Sequence, residues 1–440
     1  MIAVVGAGAA GLAAAWWLSA AGERVTLYDA APRAGGVLCT ETLDGARVDV
    51  GVQLLSSTYS TVFELAREAG AEALLRRSPG RDALWRRGRA HSLAYGSVAS
   101  MALSTALPIA LKLRLAAKYV PYLTTQARGL DANDPANSGG TVFDGESIGA
   151  WGERELSTDF VELLVYPLVA AYYGAAPEEM SAAMYHALAR VGMDVSLYGC
   201  VGGFGALVEA LMSTLAQRGV QFLPAQQVTR AQAVDGGVDI AANGVHTRYE
   251  GAVLAVAANR VARVLDADGE LRAWLDAVRE RSTLTIAYRT DRPFPGDYFG
   301  LSFPRTTRPG ARIAALCIQS RKLAGLVPAG GDALVALPAP AAVAELWERS
   351  DDEAAAALLA SVEEAVRGVD RHVTSMHVQR FEDGCTVFTP GHLRRLRAFH
   401  DAWLPAGIAL AGDYLVAPTV EGAMRSGQRA ARRLLDQRSS

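Results

Sequence analysis

Cysteine, histidine and aromatic residues are scarce in this chain, and each shortage excludes a class of protein. The 440 residues include 4 cysteines and 7 histidines, and aromatic side chains make up 7%. The cysteines are Cys39, Cys200, Cys317 and Cys385. None lies in the C-x-x-C spacing of a redox or zinc motif, and no H-E-x-x-H or clustered histidines occur. We therefore predict buried free thiols in a reducing compartment, and no metal site.

Strong charge of either sign is also missing. The formal net charge is -3, and no basic stripe interleaved with aromatic residues is present, so nucleic acid is not an expected partner. The length is too great for a single compact core and predicts two or three structural domains.

The start of the chain carries no charged side chain from Met1 to Gly22. An export signal needs a basic segment before the apolar run and a small-residue cleavage site after it, and neither is clear here. A membrane span needs roughly 20 apolar residues without strong turn signals, but Gly6, Gly8 and Gly11 cluster in this one. We therefore interpret the start as a buried strand and helix.

These glycines form a G-x-G-x-x-G motif with the spacing of a dinucleotide-binding loop. The β-branched strand 2–5 precedes Gly6, an alanine-rich helix follows Gly11, and a second strand ends at Asp29. In such a loop Gly6 permits the tight turn, Gly8 lets the backbone approach a pyrophosphate, and Gly11 allows close packing. Asp29 would accept hydrogen bonds from the adenosine ribose, so the chain is predicted to bind a dinucleotide.

A second motif follows the second strand and indicates which dinucleotide is bound. "APRAGG" contains Arg33, Gly35 and Gly36, and "RVDVGVQ" contains Gly51. The first resembles the R-x-G-G extension found in the amine oxidase, protoporphyrinogen oxidase and phytoene desaturase superfamily. The resemblance implies that the cofactor is FAD, that Arg33 and its glycines secure the pyrophosphate, and that Gly51 belongs to the cofactor site.

The far end of the chain provides a third motif. "GIALAGDYLVAPTVEGAM" is similar to the C-terminal FAD motif of the same superfamily. The resemblance implies that Gly412 and Asp413 meet the ribityl chain. It also implies that Val420, Gly422 and Ala423 begin a helix whose N-terminus points at the flavin C2 carbonyl. A positive helix end favours the negative charge of reduced flavin.

The fold class predicted is α/β and α+β, with a discontinuous Rossmann-type FAD-binding domain, a mixed-sheet substrate domain and a helical lid subdomain. The FAD-binding domain takes segments 1–75, 201–280 and 401–440. The lid and first part of the substrate domain take 76–200, and the second part takes 281–400. The resemblance also implies that the backbone of Val228 lies near the adenine.

Two local patterns refine this organisation. Gly202 and Gly203 are not a second nucleotide motif, because no β-branched strand leads into them, and this argues against a reductase that draws electrons from NADPH. Ser350 and Glu353 form a capping-box pattern before a helix predicted over 354–367, which ends at Gly368.

The middle of the chain narrows the resemblance and suggests pocket residues. The segment 146–190, "DYFGLSFP" and "CTVFTPGHLRRL" are similar to protoporphyrinogen oxidases. Candidate catalytic residues on this basis are Tyr173, Gly300, Phe388 and His392, with Tyr172 as a further pocket candidate. "DVGVQ" replaces the acidic-glycine-proline stretch usual in those enzymes, which leaves a tetrapyrrole substrate open.

The resulting hypothesis is an FAD-dependent oxidoreductase. It would remove hydride from a large, partly hydrophobic or tetrapyrrole-like substrate, with oxygen or a quinone as acceptor. The alternatives are an amine oxidase, an isoprenoid desaturase or isomerase, and a non-catalytic flavin-bound scaffold. Amine oxidation ranks lower because 283–304 contains no lysine and the segment before His392 lacks a tryptophan. Arg305 could meet a substrate carboxylate or be merely solvated.

One uncharged segment, 92–111, raises the question of a membrane. Lys112, Arg114 and Lys118 follow it, and Pro108 weakens a spanning helix. We predict a helical lid here. Because basic residues flank an apolar face, peripheral membrane contact through 92–122 is the alternative. The predicted location is the cytoplasm, with contact at the inner face of the membrane left open.

Overall fold

The computed structural model describes residues 1–95, 97–193 and 195–439. Gly96, within the predicted 92–122 segment, lies outside these ranges. The strands are β1 Ile2–Val5, β2 Val25–Tyr28, β3 Thr40–Leu43, β4 Ala46–Asp49, β5 Leu55–Ser56, β6 Leu75–Arg77, β7 Asp82–Arg86, β8 Arg89–Ser92, β9 Leu197–Cys200, β10 Gln221–Leu223, β11 Val228–Val234, β12 Gly237–Ala242, β13 Val245–Tyr249, β14 Gly251–Leu254, β15 Arg279–Thr290, β16 Gly300–Ser302, β17 Ile313–Ile318, β18 Asp332–Pro338, β19 Val373–Val387 and β20 Ile408–Leu410.

The helices are α1 Ala9–Ala20, α2 Ser60–Glu68, α3 Val98–Leu103, α4 Ile109–Arg114, α5 Val120–Thr124, α6 Ile148–Glu155, α7 Thr158–Phe160, α8 Tyr166–Tyr173, α9 Ala182–Gly192, α10 Phe204–Gln217, α11 Ala258–Val264, α12 Gly269–Asp276, α13 Gln319–Lys322, α14 Pro340–Trp347, α15 Asp351–Ala365, α16 His392–Ala398 and α17 Val420–Ser439.

A five-stranded parallel sheet forms the Rossmann-type part of the fold. Its order is β10-β2-β1-β14-β20, and every neighbouring pair is parallel. Every residue of β1, β2, β14 and β20 is buried, as expected for a sheet covered on both faces. The strands come from three separate stretches of chain, so the predicted discontinuous fold class is confirmed. The predicted domain boundaries stay a prediction.

Helices α1, α10 and α17 cover one face of this sheet. Helix α17 crosses α1 closely, because a Cβ added at Gly427 would lie 2.1 Å from the carbonyl oxygen of Ala10. The antiparallel sheet β11-β12-β13 and helices α11 and α12 cover the opposite face. The strand β1, which leads into the glycine loop, is therefore held between two packed layers.

A seven-stranded mixed sheet forms the substrate part of the fold. Its order is β19-β15-β18-β17-β16-β7-β8, and β7 with β16 is its parallel pair. Helices α14 and α15 pack on one face. The predicted capping box is confirmed at the start of α15, where Ser350 and Glu353 bond reciprocally, although the helix ends earlier than expected. The other face of the sheet packs against β3 and β4.

Helices α3 to α9 form the predicted helical subdomain. Its interior is a cluster of aromatic rings around His186, which include Tyr122 and Trp151. The uncharged segment is split, because α3 ends at Leu103 and α4 begins after Pro108. Within the described residues, no helix has the length and apolar content that crossing a membrane requires.

Candidate active site

Two glycines of the loop after β1 have different surroundings: Gly11 allows close packing, and Gly8 leaves space for a ligand. A Cβ added at Gly11 would lie 1.7 Å from the carbonyl oxygen of Gly6, whereas one added at Gly8 meets nothing within 4 Å. Helix α1 begins at Ala9, and no side chain caps its N-terminus. The open space over Gly8 and the free helix N-terminus suit a pyrophosphate.

The adenosine end of the predicted site is assembled from two distant segments. The Asp29 carboxylate accepts hydrogen bonds from the N–H groups of Ala7 (2.6 Å) and Ala31 (2.7 Å). A carboxylate has about four acceptor positions, so two remain for ribose hydroxyls. The N–H of Gln226 donates to the carbonyl of Asp29 at 2.8 Å, which brings Val228 close to the end of β2.

The residues of the R-x-G-G motif lie against the glycine loop. The N–H of Gly35 donates to the Ala7 carbonyl at 2.8 Å. A Cβ added at Gly36 would stand 3.3 Å from the Cα of Gly8. Arg33 is half exposed and pairs with Glu41 at 2.5 Å. The motif is thus placed beside the predicted pyrophosphate position, and a direct role for Arg33 stays a prediction.

Gly51 has a packing reason of its own. A Cβ added there would lie 2.0 Å from the carbonyl oxygen of Val37, so two backbone segments approach closely at this point. The geometry accounts for glycine at this position without requiring contact with a cofactor, and its role in the cofactor site stays a prediction.

The C-terminal motif supplies a carboxylate and a second helix end. Asp413 accepts a hydrogen bond from the Thr386 hydroxyl at 2.8 Å, and burial raises the pKa of its carboxyl. The N–H of Gly412 donates to the Ser426 hydroxyl at 2.8 Å. These bonds hold the turn after β20 in place while Asp413 stays partly exposed.

Helix α17 begins at Val420 beside this turn. The hydroxyl of Thr419 accepts a hydrogen bond from the N–H of Gly422 at 2.9 Å, and its carbonyl accepts one from Ala423. A Cβ added at Gly422 would lie 2.1 Å from the carbonyl oxygen of Ala417. Glycine at this position therefore allows the tight turn into α17.

Together these elements fit FAD. The fit consists of the open space over Gly8, the free acceptors of Asp29, the partly exposed carboxylate of Asp413 and two helix N-termini. Among the described residues, no group of three or more His, Cys, Asp or Glu side chains could hold a metal ion.

Two buried carboxylates support the site in roles that the sequence did not predict. Glu421 has no exposed area, accepts hydrogen bonds from the N–H groups of Thr61 and Val62, and pairs with Arg425. It therefore caps α2 from the first turn of α17. The sequence shows an acidic residue near a helix start, but the capped helix is distant in the chain.

Asp49 is the second missed carboxylate. It forms a fully buried ion pair with Lys322 and accepts hydrogen bonds from the Thr40 hydroxyl (2.6 Å) and the Phe204 N–H (2.8 Å). The start of α10 is thus capped inside the protein, which agrees with the view that Gly203 does not belong to a second nucleotide motif.

We infer an internal cleft between α8 and the substrate sheet from the surroundings of Tyr172. The Tyr172 side chain is 60% exposed, yet desolvation raises the pKa of its hydroxyl. Its ring therefore faces a space enclosed by protein. Tyr172 interacts electrostatically with Tyr59, Asp82, Tyr95 and Cys317. Because Tyr59 lies beside Thr419 at the start of α17, the cleft reaches the predicted flavin position.

The four predicted catalytic residues fall into two environments. Tyr173 is 5% exposed and interacts with Tyr59 and Tyr172, and Gly300 lies on β16 at the Asp82 end of the cleft. Phe388 and His392 are instead inside the core of the helical subdomain, with ring centroids 4.1 Å apart.

His392 is held as a neutral ring. Its Nε2–H donates to the carbonyl of Tyr414 at 3.0 Å, and burial lowers the pKa of the imidazole to about 4. Its Nδ1 has no hydrogen-bond partner among the described residues. The structure brings Tyr173 and Gly300 to the cleft but not Phe388 and His392, and the catalytic roles of all four stay predictions.

Arg305 does not point a free charge into the cleft. It pairs with Glu162 and Glu178, each at 2.7 Å, and its guanidinium stacks over the ring of Tyr166. The alternative that it is merely a solvated arginine is also incomplete, because both acidic partners bind it.

Three features of this fold together define a class of flavin-dependent oxidoreductases. They are the glycine loop of the dinucleotide fold, the C-terminal carboxylate at a helix start, and the substrate sheet. The chain matches the family described as flavin containing amine oxidoreductase over residues 9–435. It therefore belongs to this family, whose members are FAD-dependent enzymes, and the predicted superfamily, enzyme class and cofactor are confirmed.

The names of individual relatives point to different substrate classes. A Mycobacterium tuberculosis protein named as a flavin-containing monoamine oxidase, AofH, is 26% identical over 302 residues, which cover 68% of this chain and 60% of the relative. Coproporphyrinogen III oxidase of Staphylococcus aureus is 24% identical over 41% of this chain and 38% of its own.

Among solved structures, one from Exiguobacterium named as a protoporphyrinogen oxidase superposes with a TM-score of 0.79 at 20% identity. It covers 99% of this chain and 98% of its own. At this identity the likeness shows the fold alone. Since the chain spans only about three fifths of the length of the Mycobacterium tuberculosis relative, substrate and acceptor are matters for proposal.

Proposed function

We propose that this protein is an FAD-dependent oxidase or dehydrogenase that removes hydride from a large, partly hydrophobic substrate. The observation that carries the proposal is the environment of Tyr172, which is 60% exposed although Tyr59, Asp82, Tyr95 and Cys317 lie around it. A cleft lined mainly by aromatic side chains suits such a substrate.

The chain contributes binding, orientation and exclusion of water. Bound FAD would supply the acceptor for a hydride from a substrate C–H bond, with oxygen or a quinone as the final acceptor of both electrons. Tyr172 and Tyr173 would hold the substrate against one side of the cleft, and the lack of a side chain at Gly300 leaves room on the sheet for the Asp82 carboxylate. The N-terminus of α17, behind Thr419, would favour negative charge at the cofactor.

Two substrate classes have support. A tetrapyrrole-like porphyrinogen is supported by the resemblance of 146–190 and by coproporphyrinogen III oxidase among the relatives. An amine is supported by the relative named as a monoamine oxidase and by a specific feature of the cleft, the carboxylate of Asp82, whose consequences are developed below.

Anaerobic mixing with candidate donors tests the proposed function. The purified protein should carry flavin absorbance, which should bleach with one donor class and recover on addition of oxygen or a quinone. Porphyrinogens, primary amines and polyamines form the donor set. Bleaching by one class assigns the substrate, and absence of flavin, or flavin that no donor bleaches, would contradict the proposal.

We further propose that the lid makes peripheral contact with a membrane. Leu103, Ile109 and Leu113 are 82%, 76% and 65% exposed on adjoining helices α3 and α4, and Lys112 and Arg114 lie among them. Exposed apolar side chains beside basic ones suit the surface of an anionic bilayer.

A further inference from the structure

The Asp82 carboxylate lies at the substrate end of the inferred cleft, at the start of β7. On the mixed sheet Asp82 pairs with Gly300, which in turn pairs with Cys317. Directly paired residues project to the same face of a sheet. A Cβ added at Gly300 would lie 2.5 Å from Oδ1 of Asp82, so the carboxylate occupies the space that glycine leaves.

This carboxylate faces the same cleft as the predicted cofactor. Tyr172 of α8 interacts electrostatically with Asp82 and also with Tyr59, which lies beside the start of α17. Tyr95, which follows β8, and Cys317 of β17 are the other titratable groups that interact with Asp82. A substrate in the cleft can thus reach the cofactor end and Asp82 together.

Asp82 has no cationic partner among the described residues. The nearby basic side chains are engaged elsewhere, since Arg81 pairs with Asp297 and Lys322 with Asp49. None of the hydrogen bonds in the described part of the chain reaches the Asp82 carboxylate, and desolvation alone raises its pKa to about 7. An unpaired carboxylate in such a place is unfavourable for folding, so a ligand is the natural source of its partner.

We propose that Asp82 is a specificity residue that binds a cationic nitrogen group of the substrate beside Gly300. The proposal rests on the proposed function, because the ligand is taken to be the substrate to be oxidised. A protonated amine or amidinium would form a charge-assisted hydrogen bond with the carboxylate and lie against tyrosine rings that favour cations. A substrate carboxylate would be repelled, so the inference favours amines over propionate-bearing tetrapyrroles.

Three planar aromatic probes of one shape test the inference on the flavin-loaded protein. Benzamidine is cationic, benzamide is neutral and benzoate is anionic. Binding is followed by perturbation of the flavin absorbance, which does not depend on turnover. Asp82→Asn removes the charge and keeps the shape, whereas Asp235→Asn removes an exposed charge in the turn between β11 and β12 and serves as the matched control.

We expect wild-type protein and Asp235→Asn to bind benzamidine at least about tenfold more tightly than benzoate, since only the cation can form a charge-assisted hydrogen bond with Asp82. Asp82→Asn should lose that preference. Benzamidine affinity of the wild type should rise with pH through about 7 as Asp82 ionises, and should be flat for the variant.

Equal benzamidine binding by wild type and Asp82→Asn, or tighter binding of benzoate, would overturn the inference. If the protein holds flavin but shows no preference for benzamidine, only this inference is overturned. The proposed function would survive, because the protein could still oxidise another class of donor. Protein that cannot hold flavin overturns the proposed function itself.

Discussion

Gly8 and Gly11 lie three residues apart in one loop but have opposite surroundings. The space at Gly8 is empty of protein, whereas the space at Gly11 is filled by the backbone of Gly6. The same substitution should therefore act on different properties at the two positions.

Gly8→Ala should leave folding intact and lower FAD occupancy, because its methyl group enters the space predicted for the pyrophosphate. Gly11→Ala should lower the free energy of unfolding by about 1–3 kcal/mol or more through overpacking. Flavin absorbance per protein and chemical denaturation measure the two effects. Gly129→Ala, at another open glycine, is the control, and full FAD occupancy in Gly8→Ala would contradict the motif assignment.

Asp82 also predicts how stability depends on pH. Its pKa is raised from 3.8 to about 7, so ionisation is harder in the folded protein than in the unfolded chain. The stability that its protonated form provides is complete below about 3.8 and is lost as pH rises through about 7. Asp82→Asn should remove this pH-dependent loss of stability. The thermal midpoint of the variant should therefore increase relative to that of the wild type as pH rises. Parallel curves for the two proteins would contradict the pKa shift.

At the scale of elements, α17 stabilises its neighbours as well as the cofactor site. Glu421 in its first turn caps α2, and Arg425 one turn later binds the same carboxylate. Two helices are thereby fixed relative to each other at the predicted flavin end of the cleft.

Glu421→Gln should lower the free energy of unfolding by about 1–3 kcal/mol, because hydrogen bonds from the α2 amides to a charge are lost. Chemical denaturation measures the change. Glu209→Gln, an exposed position on α10, provides the control. Equal stability of the two variants would show that the cap contributes little.

The exposed face of α3 and α4 predicts binding to lipid. Replacement of Leu103, Ile109 and Leu113 by serine should reduce co-sedimentation with phosphatidylcholine–phosphatidylserine vesicles, and salt should weaken wild-type binding. Val142→Ser changes an apolar residue that is 79% exposed elsewhere and should have no effect. Wild-type protein that stays in the supernatant would contradict membrane contact.

At the scale of the whole molecule, the Asp49–Lys322 pair joins the two main parts of the fold. Asp49 ends β4 and caps α10, while Lys322 belongs to α13 next to the substrate sheet. Both side chains are fully buried, so neither charge can be left alone without cost.

Lys322→Met should lower the free energy of unfolding by about 3–5 kcal/mol, because it strands a buried carboxylate. Adding Asp49→Asn should recover much of that loss. Arg272→Met, which breaks the exposed pair with Asp276, should change stability by less than about 1 kcal/mol. A double variant as unstable as the single one would show that the pair is not coupled.

The sequence by itself determined the parts of this protein whose physics is local. The glycine loop, the acid at the end of β2, the capping box of α15 and the C-terminal motif each depend on neighbours a few residues away. Local geometry and the resemblance together were enough to identify the family, the FAD cofactor and the Rossmann-type class.

Only the tertiary structure decided which distant groups meet. In the sequence, Asp82 has no feature that distinguishes it from other strand residues. Its proposed role depends on Gly300 of β16, which pairs with it, and on Tyr172 of α8, which interacts with it electrostatically. Glu421 and Asp49 likewise acquire their roles from partners that are far along the chain. Burial and charge pairing depend on three-dimensional packing, and no period or spacing in the sequence records them.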